Sequence, residues 1–301
     1  MTSIHTKFYP DGSLKSIRFR NIHGYHRIDG PASQSWHANG QLYYQQYYIT
    51  GKFNNFFNHE TNHTIPASQF WYNNGQLWYK EYCINDECNN FFNTNTNQII
   101  PASQSWHNNG QLWYKEYYFN DERNNFFDTH TNQIIPAIQE WHDDGQLIYQ
   151  GYYINDKRNN FFDTNTNQTI PSIQYWHENG QLYYQEYYIN GKRNNFFDTN
   201  TNKIIPALQE WHINGQLAAQ EYNIDGKLNN FFDINTNQTI PSSQRWHENG
   251  QLYSQEYYIN NCNISYTHFT TLFHTLTYHI KKYLHNIHSH NKLKAQAEHL
   301  A

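Results

Sequence analysis

The stretch WHNNGQLWYKEYYFNDERNN, residues 106–125, decides the fold, because nearly the same twenty residues return at a constant interval along most of the chain. Trp36, Trp71, Trp106, Trp141, Trp176, Trp211 and Trp246 stand 35 residues apart, and each is followed four positions on by a glycine, from Gly40 to Gly250. A fixed period of this size marks a repeat array in which each copy packs on its neighbours. The Asn39-Gly40 pair between alternating residues signals a β-hairpin. A two-residue turn there predicts that Ala38 pairs with Gln41, His37 with Leu42, Trp36 with Tyr43 and Ser35 with Tyr44. Trp36, Tyr43, Tyr47 and Ile49 then share one face, with His37, Leu42, Tyr44, Gln46 and Tyr48 on the other. The first face is the expected core, because its Trp and the Tyr47 column (Tyr82, Tyr117, Tyr152, Tyr187, Tyr222, Tyr257) recur in every copy.

The remainder of a repeat, KRNNFFDTNTNKIIP at 192–206, reads as a short Phe-Phe strand, an Asp/Thr/Asn turn and an Ile-Ile return to proline. Proline has no N–H to give a ladder, so Pro31, Pro66, Pro101, Pro136, Pro171, Pro206 and Pro241 mark strand entries or edges. Residues 1–23, with a turn at Asp11-Gly12, resemble half a repeat and are expected to cap the sheet edge. Residues 24–260 form the array. Beyond it, 261–301 is a basic tail in which Phe269, Leu272, Phe273, Leu276, Ile280, Tyr283, Leu284 and Ile287 recur at helical spacing. The predicted fold is therefore all-β: an elongated single-sheet antiparallel array of seven 35-residue hairpin units, closed by a C-terminal amphipathic helix at about 267–287.

Aromatic residues make up 18% of the 301, so Tyr, Phe and Trp must supply most of the buried area. A net charge of −5 supplies no field to draw nucleic acid. Cys83, Cys88 and Cys262 fall at irregular positions and read as free thiols. With no secretory leader and no run of 18 apolar residues, the expectation is a soluble protein of the cytoplasm, the host's if the source is viral.

Three sets of recurring residues are candidates for chemistry. His37, His107, His142, His177, His212 and His247 form a column beside the tryptophans, but copies two strand spacings apart, about 9–10 Å, cannot share one metal ion. Glu81, Glu116, Glu186, Glu221 and Glu256 recur once per repeat and read as solvated, equivalent carboxylates, unlike the unequal pair that acid–base catalysis needs. Neither set implies a catalytic, metal or cofactor site. That leaves a candidate partner-binding face of Tyr79, Tyr114, Tyr149 and Tyr184 with Tyr118, Tyr153 and Tyr188, alongside His107, His142 and His177. Tyrosine ladders present ring faces and hydroxyls to a protein or a sugar, or simply pack across strands.

The repeats resemble MORN-type repeats of the variant class: an aromatic, x-x-Asn-Gly, Gln-Leu and a Tyr-rich strand ending in Asn-Gly-Lys, as in WHENGQLYYQEYYINGK at 176–192. HRIDGPA at 26–32 is similar to the connector in such proteins of bacteria and large DNA viruses. The resemblance covers roughly 24–261. The longer period and a missing glycine-aromatic-glycine opening set this chain apart. It implies stacked hairpins and a scaffold role, in some members with membrane association, and transfers no catalytic residue. The expectation is thus a non-catalytic scaffold for protein partners. Its alternatives are a glycan-binding module, since Trp-x-x-x-Gly hairpins are also similar to cell-wall-binding repeats, and a membrane scaffold held through the basic helix and Lys281/Lys282.

Overall fold

The structure, a computed structural model, describes residues 2–93, 96–233 and 236–264. The helix expected at 267–287 lies outside them. All regular structure among the described residues is β, in two compact units: Met1–Phe127 with Ile135–Ile148, and Asp128–Ile134 with Tyr149 onward.

In the first unit, strands Ser3–Phe8, Leu14–Asn21, Ser33–Trp36, Leu42–Gln46, Ser68–Trp71, Leu77–Glu81, Ser103–Trp106, Leu112–Glu116 and Ile138–Trp141 pair each with the next, all antiparallel. In the second, residues 149–151 begin a sheet continued by Ile173–Trp176, Leu182–Glu186, Leu208–Trp211, Leu217–Glu221, Ser243–Trp246 and Leu252–Glu256. The hairpin at Asp11-Gly12 closes like those of the full repeats: Tyr9 N–H donates to the Ser13 carbonyl as His37 N–H does to Gln41.

The main hairpin turns differently from the expected two-residue loop. Gly40 N–H donates to the His37 carbonyl and His37 N–H to the Gln41 carbonyl, so the loop holds three residues with Gly40 at φ 84°. A loop of this kind, a β-turn followed by a left-handed glycine, shifts the register by one. Trp36 therefore faces Leu42, and a bulge at Tyr43 restores the expected Ser35–Tyr44 pair. The bulge moves Tyr43 to the face of Tyr44 and Leu42 to that of Trp36, so these two face assignments are corrected while Trp36, Tyr44, Tyr47 and Tyr48 stand. The two-residue turn with positive φ at both positions occurs further on, at Thr50-Gly51 (φ 50° and 82°) and at Asn190-Gly191 (51° and 77°).

On the Trp face, Tyr47, Tyr82, Tyr117, Tyr152, Tyr187 and Tyr222 are buried, Tyr257 being half-buried, and the buried six pack on the first phenylalanine of the following Phe-Phe hairpin, as in Tyr82–Phe91 and Tyr187–Phe196, with centroids 5.1 and 4.4 Å apart. Beside it Ala32, Ala67, Ala102, Ala137 and Ala207 are wholly buried, as are Ser172 and Ser242 in the same column, so only small side chains stand there. Trp36 itself is half-buried, and Ile49, assigned to the core from sequence, is exposed because it enters the Thr50-Gly51 turn.

The Asn-Asn pair before each Phe-Phe explains why that tract keeps its length. Asn195 Oδ1 accepts from the N–H of Ala207 and from that of Asn223 in the next repeat, at 3.1 and 2.9 Å. Its neighbour Asn194 accepts from Asp225 N–H, also in the next repeat. Asn55, Asn90 and Asn230 bridge the same two backbone sites. Backbone groups that leave the ladder between hairpins thus find side-chain acceptors.

Candidate functional site

The opposite face carries Tyr44, Gln46 and Tyr48 in the first repeat, and its residues change from copy to copy. In the second repeat it presents Phe70, Trp78, Tyr79, Glu81, Cys83 and Cys88; in the third Ser105, Trp113, Tyr114, Glu116, Tyr118 and Arg123. We call it the variable face.

The seven tyrosines expected to form a partner-binding face are not freely exposed, unlike Tyr43 and Tyr253. Tyr149, Tyr153 and Tyr188 are buried, and Tyr79, Tyr114, Tyr118 and Tyr184 half-buried. Burial raises the hydroxyls of Tyr79, Tyr114, Tyr149 and Tyr184 well above the ordinary tyrosine value, so all four are neutral donors. The histidines have a different task. His107 Nε2 lies 3.0 Å from the Trp141 carbonyl of the next repeat, as His37 Nε2 does from Trp71. Tyr72 and Tyr9, in the same column, donate their hydroxyls to the Trp106 and Trp36 carbonyls. At these positions, and at His212, the column is an inter-repeat staple that a histidine or a tyrosine side chain can serve. His142 is half-buried, and His177 has an unpartnered, buried Nε2 and a ring 4.6 Å from Tyr183.

The carboxylates are not equivalent: Glu256 is exposed as expected, Glu81 and Glu221 are half-buried, and Glu116 and Glu186 depart from the expectation. Glu116 and Glu186 are 6% and 3% exposed. Glu116 pairs with Arg123 at 2.5 Å and Glu186 pairs with Arg193, which also reaches Glu221 at 3.2 Å. Arg245 lies 4.0 Å from that same Glu221. Burial is the main reason the Glu221 carboxyl sits above its ordinary value, against the pull of Arg193 and Arg245.

The fourth repeat breaks the pattern. Gly151 stands where the third and fifth carry glutamate, and a Cβ there would meet Tyr149 Oη at 2.5 Å and Tyr153 Cε2 at 2.8 Å. Its arginine, Arg158, therefore lacks a carboxylate partner among the described residues. Arg158 donates instead to Tyr153 Oη (3.4 Å) and Tyr188 Oη (3.1 Å), and Tyr188 donates to Glu186 (3.0 Å). A pocket of about 400 Å³ opens there, lined by Arg158, Ile173, Tyr175, Tyr184, Glu186 and Arg193, among others.

The second repeat breaks it oppositely. Glu81 is present, but the Tyr–Arg cross-strand pair of the third repeat, Tyr118 facing Arg123, becomes Cys83 facing Cys88. These two are joined as a disulfide, which corrects their reading as free thiols; Cys262 is free and exposed. The error came from treating the two columns singly, whereas residues five apart across a tight hairpin turn face one another.

A family model described as the MORN repeat variant matches residues 32–49, 102–120, 138–155, 173–190 and 242–260, each a main hairpin and the strand after it. This is a MORN-type repeat protein. The matches fall on the first, third, fourth, fifth and seventh repeats. The second, with its cysteine pair, and the sixth, with Ala218, Ala219 and Asn223, lie outside the matched segments. A search of curated proteins found no significant match. MORN repeats as a class are protein- and membrane-interaction modules.

Proposed function

We propose that this MORN-type protein is a non-catalytic docking scaffold that holds protein partners through its variable face, with the pocket at Arg158 receiving an acidic side chain. Arg158 carries the reading. It is a guanidinium that neighbouring repeats would neutralise with glutamate, held by tyrosine hydroxyls with its charge uncompensated. Arginine is suited to a partner's carboxylate because its planar fork of donors matches the two oxygens. The neighbouring tyrosines add apolar area at small entropic cost, as at protein interfaces.

The glycan alternative is less favoured. Tyr175, whose ring would have to stack on a sugar, already contacts Tyr149 (4.7 Å) and Tyr184 (5.7 Å). Membrane binding through the tail concerns residues outside the described set.

The test is to pan a random peptide library on the full chain with an Arg158→Gln chain as counter-target. Peptides bearing Asp or Glu should be enriched, with affinity lowered about tenfold by the substitution and weakened by salt. Equal binding to both chains, or enrichment without acidic residues, contradicts the proposal. A saturable fluorescence change with soluble glycans that Arg158→Gln leaves intact would favour the sugar reading.

A further inference from the structure

The second repeat holds three ligand types that suit a soft divalent metal. One carboxylate oxygen of Glu81 and the two sulfurs of Cys83 and Cys88 lie within 4.8 Å of one another. In a tetrahedral zinc site, bonds of about 2.3 Å to sulfur and 2.0–2.2 Å to oxygen place ligand atoms roughly 3.5–3.8 Å apart. The cluster therefore needs only small side-chain movements to converge.

Two further observations point the same way. First, both members of a single cross-strand pair have changed together, Tyr118/Arg123 in the third repeat against Cys83/Cys88 in the second. Second, the change removes the positive charge that elsewhere neutralises the carboxylate. Glu116 and Glu186 each keep an arginine, whereas Glu81 has no basic partner among the described residues. Around it are Tyr79, which hydrogen-bonds it, and the like charges of Glu116 and Asp121. Asp121 also accepts from the Cys88 N–H at 3.1 Å. A half-buried carboxylate among other acids is a cation site once two thiolates stand beside it.

We propose that, with its disulfide reduced, the second repeat binds one zinc-class ion through Glu81 Oε, Cys83 Sγ and Cys88 Sγ, leaving a fourth position for water. A dithiol or phosphine reductant supplies two electrons, and two protons complete the thiols; metal binding then releases those two protons. Thiolate ligands select zinc and its analogues over calcium or magnesium. The same pair cannot hold the ion and the disulfide at once, so metal and oxidant compete for it.

The experiment is a Co²⁺ titration of the full chain after phosphine reduction, read by the thiolate-to-cobalt charge-transfer absorption and followed by Zn²⁺ displacement. One equivalent per chain is expected, lost on reoxidation. Cys262→Ser should leave it unchanged, Cys83→Ser and Cys88→Ser should abolish the band, and Glu81→Gln should weaken binding about tenfold or more. A folded control comes from the double variant Cys83→Tyr, Cys88→Arg, which rebuilds the third repeat's pair beside Glu81; it should keep the wild-type circular dichroism and bind no cobalt. Absence of the band in the reduced wild-type chain overturns the site. So does a band that survives in Cys83→Ser and Cys88→Ser, or affinity that Glu81→Gln leaves unchanged.

Discussion

Two adjacent columns of one strand behave oppositely. Gln34, Gln69, Gln104, Gln139, Gln174, Gln209 and Gln244 never change, whereas the next residue is in turn Ser35, Phe70, Ser105, Glu140, Tyr175, Glu210 and Arg245. The first points to the Trp face, where Gln69 accepts from Gln45 at 2.7 Å and Gln174 from Gln150 at 2.7 Å, so each copy must match its neighbour. In the third repeat, Gln104 faces Lys80 in place of a glutamine and its Oε1 is left unpartnered, while the Lys80 ammonium sits 5.5 Å from the Trp106 ring. The second column points to the variable face, where it takes a small, an aromatic, an acidic or a basic residue in different copies although the tyrosines beside it recur. Stacking identical copies constrains one face of a sheet and leaves the other free to vary.

If that division holds, the largest loss comes from the constant set. Asn195→Ala strips two buried backbone N–H groups of their acceptor and should cost about 2–4 kcal/mol in urea unfolding. Asn223, as buried but with an unpartnered Oδ1, is the control, and Asn223→Ala should cost about 1 kcal/mol or less. Losses of equal size would break the comparison.

Charge pairs on the variable face come next. Arg193→Met leaves Glu186 without its arginine, but the arginine side chain is itself 29% exposed. The expected loss is about 1–2 kcal/mol, below that of a wholly buried pair. Combining it with Glu186→Gln should shrink that loss to the share owed to the second partner, Glu221 at 3.2 Å, as a double-mutant cycle would show.

A smaller effect sharpens the account of the Trp face by pH. Burial pushes Tyr152 and Tyr222 up to about 12. An unfolded tyrosine ionises near 10, so between 10 and 12 the unfolded chain has released protons that the folded chain keeps. Stability is therefore fully present below pH 10 and falls as pH rises through 12, by about 1 kcal/mol per tyrosine at pH 11. Denaturant midpoints measured across that window, with Tyr222→Phe removing one share, check the sign.

The β-hairpin repeat of the described residues and the Tyr47 column were legible in the sequence because stacking forces the same residue into the same place every time. The form of the main hairpin turn was not. The loop at Asn39-Gly40 admits two- and three-residue forms with the same dipeptide, and choosing between them decides which face Tyr43 occupies. The site was legible only as a set of tyrosines. Its informative residues, Gly151, Arg158, Cys83 and Cys88, matter because they break the periodicity, and a reading built on recurrence passes over exceptions. The burial of Glu116 and Glu186 was hidden for a related reason: a glutamate column looks solvated until the arginine seven residues later is placed beside it.

The central claim, that one face holds the fold while the other is free to vary, is tested most directly by a matched pair of truncations in the fifth repeat. Tyr187 is 5% exposed against Phe196, and Tyr183 is a half-buried ring on the variable face, in the column that is Ala218 one repeat later. Equilibrium unfolding of Tyr187→Ala should show a loss of about 3–5 kcal/mol, and of Tyr183→Ala about 1 kcal/mol or less. Comparable losses, or a larger one at Tyr183, would contradict the division of the sheet into a constrained and a variable face.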